Sequence, residues 1–333
     1  MSTVAYVQPS SNIPLPNRSE FARLIKARAH IEGFDRVGIV RAAPLMEEES
    51  RLNEWLRRGF HGEMKWMARD PETRTDPRKL FPSARSVIVV ARNYYTPARH
   101  EDSSQTGKIS RYAWGDDYHD VVAVRLRSLL DWIKTEIPQA AGKVCVDIQP
   151  VMDKAWAVRA GLGWLGKHSN VINPELGSWI FIGELLLNLE LEYDSEVIED
   201  HCGTCTLCIE ACPTQAITQP YVVDSNRCIS HATIELRADE LPDQIKSNLQ
   251  GWLYGCDICQ DVCPWNRFAQ LTDERRFEPR PGNVNADLSE LLDLTPETYA
   301  ERFRNSAMKR TKLAGLQRNA RALSRNSGTD FSL

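Results

Sequence analysis

The sequence predicts an α/β or α+β domain, followed by a small cysteine-rich module and a basic helical end. Three observations support this prediction. Strand and helix patterns alternate between residues 17 and 195, which is typical of a mixed sheet-and-helix domain. Eight of the nine cysteines lie between residues 202 and 263. Residues 301–333 carry eight Lys or Arg against two Asp or Glu, a balance of +6 in a chain of net charge −4.

The first domain is predicted element by element from periodicity and end signals. Asn17 and Ser19 are good helix caps, and apolar residues then recur with helical period to about residue 31. Three acidic residues at the start of 44–59 favour a second helix there. An amphipathic pattern predicts a long helix over 116–137. The remaining predicted elements are strands at 34–40, 86–91, 143–148 and 179–191 and a helix at 153–160.

Composition limits the class of protein. With 333 residues, 42% hydrophobic and 26% charged, the chain can bury a large core and does not resemble a disordered protein. No apolar run approaches the roughly 18 residues of a membrane span, and the amino terminus lacks a signal-peptide pattern. We therefore expect a cytoplasmic protein without a membrane partner. The predicted organisation is a loose arm (1–16), a catalytic domain (17–195), a cysteine module (196–268) and a basic helical segment (269–333).

The cysteine spacing predicts two [4Fe–4S] clusters. Cys202, Cys205, Cys208 and Cys212 form the C-x2-C-x2-C-x3-C-P run of bacterial ferredoxins, in which the fourth cysteine ligates the other cluster. A second run, Cys256, Cys259 and Cys263, is one cysteine short, and Cys228 can supply the missing ligand. The ferredoxin rule then assigns Cys202, Cys205, Cys208 and Cys263 to the first cluster, and Cys212, Cys228, Cys256 and Cys259 to the second.

Rival interpretations of these cysteines fit less well. A zinc site needs four ligands and not this spacing, and disulfides are rare in the cytosol. The ninth cysteine, Cys145, lies in an apolar strand and is interpreted as a buried hydrophobic residue.

A glycine loop at residues 161–166 reads G-x-G-x-x-G, but its context argues against a dinucleotide site. That fingerprint should follow a strand and open a helix, whereas this loop follows the predicted helix at 153–160. We interpret the glycines as allowing close approach to a large flat cofactor, with a tight turn that binds nothing as the alternative.

Several long motifs, together with the eight cysteines, resemble the epoxyqueuosine reductase family over about residues 17–325. They lie at residues 111–120, 159–167, 177–184, 227–230 and 253–260. The resemblance implies an enzyme that uses cobalamin and two [4Fe–4S] clusters to reduce epoxyqueuosine to queuosine at the tRNA wobble base. It further implies a cobalamin-binding fold, a ferredoxin-like cluster module and the first part of a HEAT-like helical unit at the carboxyl end.

The same resemblance implies the site residues. Asp147 matches the family's proton donor, and we expect burial to raise its pKa so that it can donate near neutral pH. Asp153 is interpreted instead as a charge at a helix N-terminus. The cobalamin is expected in its base-off form, with no protein ligand, and His119 is interpreted as structural. The implied cobalamin contacts are Arg74, Ser110, Asp147, Val171, Ile182, Ser230, Asp257 and Ile258.

Partners follow from charge and from the resemblance. The basic end suits phosphate contact with tRNA, and a solvated helical face is the alternative. The residues concerned are Lys309, Arg310, Lys312, Arg318, Arg321 and Arg325. A low-potential electron donor and a monomeric state are also expected. Two other functions stay open: a cobalamin-dependent reductase of a small epoxide or halide, and an electron carrier without chemistry of its own.

Overall fold

The computed structural model describes residues 17–326, so the predicted arm at 1–16 lies outside the described residues. The strands are β1 (Arg36–Arg41), β2 (Ser86–Asn93), β3 (Thr106–Ile109), β4 (Gly142–Cys145), β5 (Trp164–Leu165), β6 (Val171–Ile172), β7 (Ile180–Leu187), β8 (Ile217–Gln219), β9 (Val222–Val223), β10 (Trp252–Tyr254) and β11 (Asn285–Asp287). The helices are α1 (Arg18–Ile31), α2 (Met46–Arg57), α3 (Pro71–Thr75), α4 (Pro77–Leu80), α5 (Tyr118–Glu136), α6 (Asp153–Arg159), α7 (Leu207–Glu210), α8 (Ile229–Ile234), α9 (Asp243–Lys246), α10 (Ile258–Asp261), α11 (Leu288–Leu292), α12 (Pro296–Arg302) and α13 (Lys312–Asn326).

The main sheet has the strand order β1-β2-β7-β4, and every neighbouring pair is antiparallel. Of the two predicted fold classes, α+β is therefore the better description. Strand β2 is buried along its whole length, and its alternate side chains enter different cores. Ile88 and Val90 pack with α1 and α5, whereas Val87 and Val89 lie in the core that contains α6.

Most predicted elements of this domain are confirmed to within a few residues, and the end signals explain why. The Asn17 side chain accepts a hydrogen bond from the Glu20 amide at 3.0 Å, which caps α1 as expected. The predicted strand at 143–148 differs, because β4 ends at Cys145. The Ile148 amide bonds back to the Val146 carbonyl, and Asp147 takes a positive φ of 56°. This tight turn lifts Asp147 out of the sheet.

A second sheet joins three distant parts of the chain. Its order is β10-β3-β11, with β3 parallel to β10 and antiparallel to β11. The core behind it combines Trp114, α8, β10 and the helices α11 to α13. The strands of this sheet thus come from the predicted catalytic, cysteine and carboxyl-terminal segments. Within the described residues, no helix is both long enough and apolar enough to cross a membrane.

The structure corrects one part of the predicted basic surface. Arg318 is only 4% exposed, and its guanidinium donates to the carbonyls of Ala232, Leu236 and Ala238 at 2.9 Å each. Its guanidinium satisfies backbone carbonyl oxygens near the end of α8, so it is not available to bind a phosphate. Arg310 pairs with Glu235 through two contacts of 2.7 Å. Lys309, Lys312 and Arg321 are exposed, and the Arg325 side chain lies outside the described residues.

We expect Arg318→Ala to lower the free energy of unfolding by about 3 kcal/mol, because it leaves one buried and two partly buried carbonyls without this donor. Urea unfolding of the purified protein measures the change. The matched control is Arg321→Ala on the exposed face of the same helix, for which a change of about 0.5 kcal/mol or less is expected. Equal stability of the two variants would contradict the buried role of Arg318.

Candidate active site and cluster sites

Four of the predicted cluster ligands surround one cavity. Cys202, Cys205, Cys208 and Cys263 line a space of about 350 Å³, together with His168, His201 and Trp265. Among the described residues, no three His, Cys, Asp or Glu side chains converge as ligands of a single metal ion would. This set of four is the one that the ferredoxin rule assigns to the first cluster.

The other four cysteines form a second group. Burial raises the pKa of the Cys228, Cys256 and Cys259 thiols, and their neighbouring thiols add to the effect. Cys228 is influenced by Cys212, and both of them influence Cys259. Thiols act on one another in this way only at short range. Cys208 also acts on Cys259, so the two groups of cysteines are close to each other.

Asp257 fixes the second group to the main body of the protein. It is 2% exposed, accepts a hydrogen bond from the Arg111 amide at 2.7 Å and is also bonded by the Ser110 hydroxyl. Arg111 is held in turn, because its guanidinium donates to the Thr96 carbonyl and lies over the Trp114 ring. The segment between Cys256 and Cys259 is therefore tied to β3 by buried bonds.

Asp147 stands in a network with three other side chains, none of which sequence reasoning placed beside it. The Tyr118 hydroxyl donates to its carboxylate at 2.6 Å, and His119 Nε2 lies 3.2 Å from it. His119 Nδ1 contacts Asp117 at 2.6 Å. Tyr118 and His119 begin α5, and Asp117 is the N-cap of that helix. In the sequence, the run Asp117-Tyr118-His119 was the signal that could have indicated this network.

His119 is positively charged at neutral pH, with a proton on each ring nitrogen. Both ring nitrogens face carboxylate oxygens, so both must be N–H donors, which describes an imidazolium. Burial alone would lower its pKa, but the hydrogen bonds to Asp117 and Asp147 outweigh that effect and raise the pKa to about 9. The interpretation of His119 as purely structural therefore needs revision, since it is the charged neighbour of Asp147.

The expectation of a raised pKa at Asp147 is wrong for this structure. Burial does act to raise it, but hydrogen bonds from His119 and Tyr118, and the charges of His119 and Lys154, hold the pKa below its ordinary value. Its side chain is nevertheless 61% exposed, so the carboxylate faces open space, which is called the cleft below. Asp147 is thus an ionised acceptor beside a protonated histidine.

The residues predicted to touch cobalamin lie in different surroundings. Four of them are buried, namely Arg74, Ser110, Val171 and Asp257, and Ile182, Ser230 and Ile258 are partly exposed. Arg74 lies over the Trp66 ring, and charges on Asp147 and Asp153 act on it, so it belongs to the same cleft as Asp147. Its Nε is buried and has no hydrogen-bond partner among the described residues. That orphaned donor suits the amide oxygen of a large ligand.

The glycine loop does not need a cofactor to explain it. A Cβ at Gly163 would lie 2.2 Å from the Ile172 carbonyl oxygen, and one at Gly166 would lie 2.6 Å from the Ile172 side chain. These glycines permit the tight β5–β6 hairpin to close on itself. The loop does follow helix α6, which agrees with the rejection of a dinucleotide site. Internal packing is thus sufficient to explain both glycines, and the expected close approach to a flat cofactor stays a prediction.

Comparison with known proteins decides the family. The sequence profile described as "Epoxyqueuosine reductase QueG, DUF1730" matches residues 74–148, and a "4Fe-4S double cluster binding domain" matches residues 201–266. An epoxyqueuosine reductase of Synechocystis is 51% identical over 84% of this chain and 98% of its own length. One of Cellulophaga algicola is 47% identical, covering 91% and 97% of the two chains.

The chain belongs to the epoxyqueuosine reductase family. It is accordingly an oxidoreductase with a domain for two [4Fe–4S] clusters. A solved epoxyqueuosine reductase with an epoxyqueuosine-modified tRNA-Tyr stem loop has a TM-score of 0.87 and 30% identity, covering 93% of this chain and 82% of that one. The solved epoxyqueuosine reductase of Streptococcus thermophilus has a TM-score of 0.83 and 30% identity, covering 91% of this chain and 80% of that one.

We expect single cysteine substitutions to remove clusters according to the interleaved assignment. Cys263→Ala should remove the cluster that Cys202→Ala removes, although the two residues lie in different runs, because both line one cavity. In each variant the iron content should fall from about eight to about four atoms per chain. Mössbauer and electron paramagnetic resonance spectra should show the same surviving cluster. Cys145→Ala, which changes a buried cysteine outside both groups, should retain both clusters.

The charged state of His119 should appear in the pH dependence of stability. Its folded pKa is raised, so its stabilising contribution is complete below about pH 6.5 and is lost as the pH rises through about 9. The difference in unfolding free energy between wild type and His119→Gln should therefore shrink across that window. Asp117→Asn removes one partner and should move the window of the remaining histidine to lower pH. A difference that is constant with pH would contradict this assignment.

Proposed function

We propose that this chain reduces the epoxide of epoxyqueuosine in tRNA to the alkene of queuosine, with base-off cobalamin and two [4Fe–4S] clusters as cofactors. The observation that supports the proposal most directly is Asp147, held between His119 and Tyr118 in a cleft that also contains Arg74. The named relatives support the substrate, and so does the solved relative that holds an epoxyqueuosine-modified stem loop.

Cobalamin would be held by the residues that the resemblance implies. Arg74 fits this role through its buried, unpartnered Nε, which can donate to a corrin carboxamide. When bound, cobalamin supplies a strong two-electron nucleophile for the epoxide carbon. The other proposed contacts are Ser110, Val171, Ile182, Ser230, Asp257 and Ile258. Asp257 and Ile258 stand between two proposed ligands of the second cluster, which would give electrons a short route from cluster to cofactor.

The protein's own part in the reaction is to supply a proton where the epoxide oxygen becomes an alkoxide. Reduction of an epoxide to an alkene consumes two electrons and two protons and releases the oxygen as water. His119 holds a proton 3.2 Å from Asp147, and Asp147 faces the cleft. We assign Asp147 as the proton donor, which takes the proton from His119 as negative charge develops on the substrate oxygen. Tyr118 holds the carboxylate in position.

The tRNA is proposed to approach the cleft across the exposed basic residues of the carboxyl end, Lys309, Lys312 and Arg321. The wobble base must leave its stack to bring the epoxide into the cleft. A low-potential one-electron donor and a monomeric enzyme complete the proposal. The small-substrate reductase would act on a free epoxide or halide without tRNA. The electron carrier would take up no corrin after anaerobic reconstitution, so one absorption spectrum separates it from both reductases.

We expect Asp147→Asn to lower the single-turnover rate by about 10²- to 10⁴-fold, the range of a lost general acid. The assay uses reduced, cobalamin-loaded protein with epoxyqueuosine-containing tRNA, and mass spectrometry of digested nucleosides measures queuosine. Asp131→Asn, an exposed carboxylate on α5, is the control and should leave the rate unchanged. Full activity of the Asp147 variant would refute the proton-donor assignment.

A further inference from the structure

A pair of buried carboxyl groups lies beneath the cleft. Glu184 is in the middle of the central strand β7, opposite Val89 on one side and Cys145 on the other, and it is 0% exposed. No N–H or O–H donor among the described residues reaches either of its carboxylate oxygens or Oδ1 of Asp153. The polar group that faces Glu184 is the Asp153 carboxyl at the start of α6.

Within residues 17–326, no cation pairs with Glu184. The charges that act on it are those of Asp153 and Asp147, which are both carboxyls. Lys154 is next to Asp153, but its ammonium donates to the Ser169 carbonyl and to Asn170 Oδ1, each at 2.8 Å. From α3, the Arg74 guanidinium donates to the Trp66 carbonyl. From β4, the buried Cys145 thiol faces Glu184 and carries no positive charge.

Two neighbouring carboxyl groups inside an apolar core are costly to ionise together, because their charges repel each other and lose their hydration, so the resting pair favours keeping one proton. One proton shared between them removes the repulsion and makes a hydrogen bond. Burial is the largest effect on both groups: it raises the pKa of Asp153 to about 6 and that of Glu184 well above its ordinary value. The pair therefore retains a proton at neutral pH.

The pair is also coupled to Asp147. Besides burial, the Asp147 charge raises the pKa of both members of the pair, so the three carboxyl groups lie close enough to influence one another. When Asp147 is ionised after giving up a proton, it faces His119 above and a protonated carboxyl pair below.

We propose that Asp153 and Glu184 store the second proton of the reaction and return it to Asp147 after the first has been transferred. This inference rests on the proposed function. The first proton passes from His119 through Asp147 to the epoxide oxygen as its carbon–oxygen bond breaks. The second passes from the pair to Asp147 and then to the leaving oxygen, which departs as water when the alkene forms. The two electrons would be supplied by the external donor through the cofactors, and solvent reprotonates both His119 and the pair between turnovers.

The shared proton can be detected without substrate. Infrared spectra of the wild-type holoenzyme at neutral pH should contain the carbonyl band of a protonated carboxyl group that shifts in D₂O. The double variant D153N/E184Q should lack that band, and the exposed control Glu192→Gln should keep it. A wild-type spectrum without the band would overturn the proposal.

Use of the proton is tested by the pH profile of single turnover. Near pH 6, protons from solvent can replace the proton stored on the pair, so the single-turnover rate of Glu184→Gln should be close to that of wild type. Above pH 8 its rate should fall about tenfold below wild type, and Glu192→Gln should follow wild type. Circular dichroism verifies folding, and Asp153→Asn provides an independent variant of similar size. No turnover by wild type would overturn the proposed function and this use of the proton together. If wild type turns over and both variants show the same pH profile as wild type, only the proton-storing role of the pair would be overturned.

Discussion

The structure depends on bringing together cysteines from two runs that are separated by about fifty residues. Cys263 must return to the cavity lined by Cys202, Cys205 and Cys208, and Cys212 must reach the neighbourhood of Cys228 and Cys259. The segment between the runs packs against the rest of the protein as a unit, because α8 and β10 belong to the core behind the second sheet. Asp257 then bonds this unit to Ser110 and the Arg111 amide, so the second cysteine group has a fixed position against β3.

The groups around Asp147 form a series in which the charge of each group influences the protonation of the next. Asp117 fixes His119 as an imidazolium, the imidazolium keeps Asp147 ionised, and the ionised Asp147 favours retention of one proton by the pair of Asp153 and Glu184. Each group sets the protonation state of the next through contact and burial. A single carboxyl with a raised pKa would hold one proton, whereas this arrangement keeps two protons near one acceptor.

The sequence predicted what is written in local patterns. The cap at Asn17, the amphipathic period of α5 and the ferredoxin spacing of Cys202 to Cys212 are all read within a few residues. It missed what depends on tertiary burial. Arg318 looks like its exposed neighbour Arg321 until α8 covers it, and Glu184 looks like an ordinary strand charge until α6 places Asp153 against it. The packing role of the glycines at 163 and 166 was not predicted, because only the fold shows that Ile172 fills the space beside them.

The proposed use of a second stored proton explains why the fully buried Glu184 occupies β7, a strand that would be more stable with an apolar side chain at this position. Glu184 lowers the stability of the fold at neutral pH, because the unfolded chain releases its proton near the ordinary carboxyl pKa while the folded chain retains it. Stability must fall as the pH rises from that value towards the raised folded pKa. A chain that tolerates such a cost at the centre of its main sheet gains a proton that solvent cannot easily remove. That property matters in a cleft where strong reducing power and free water would otherwise meet, since an unregulated proton supply would consume the electrons without reducing the substrate.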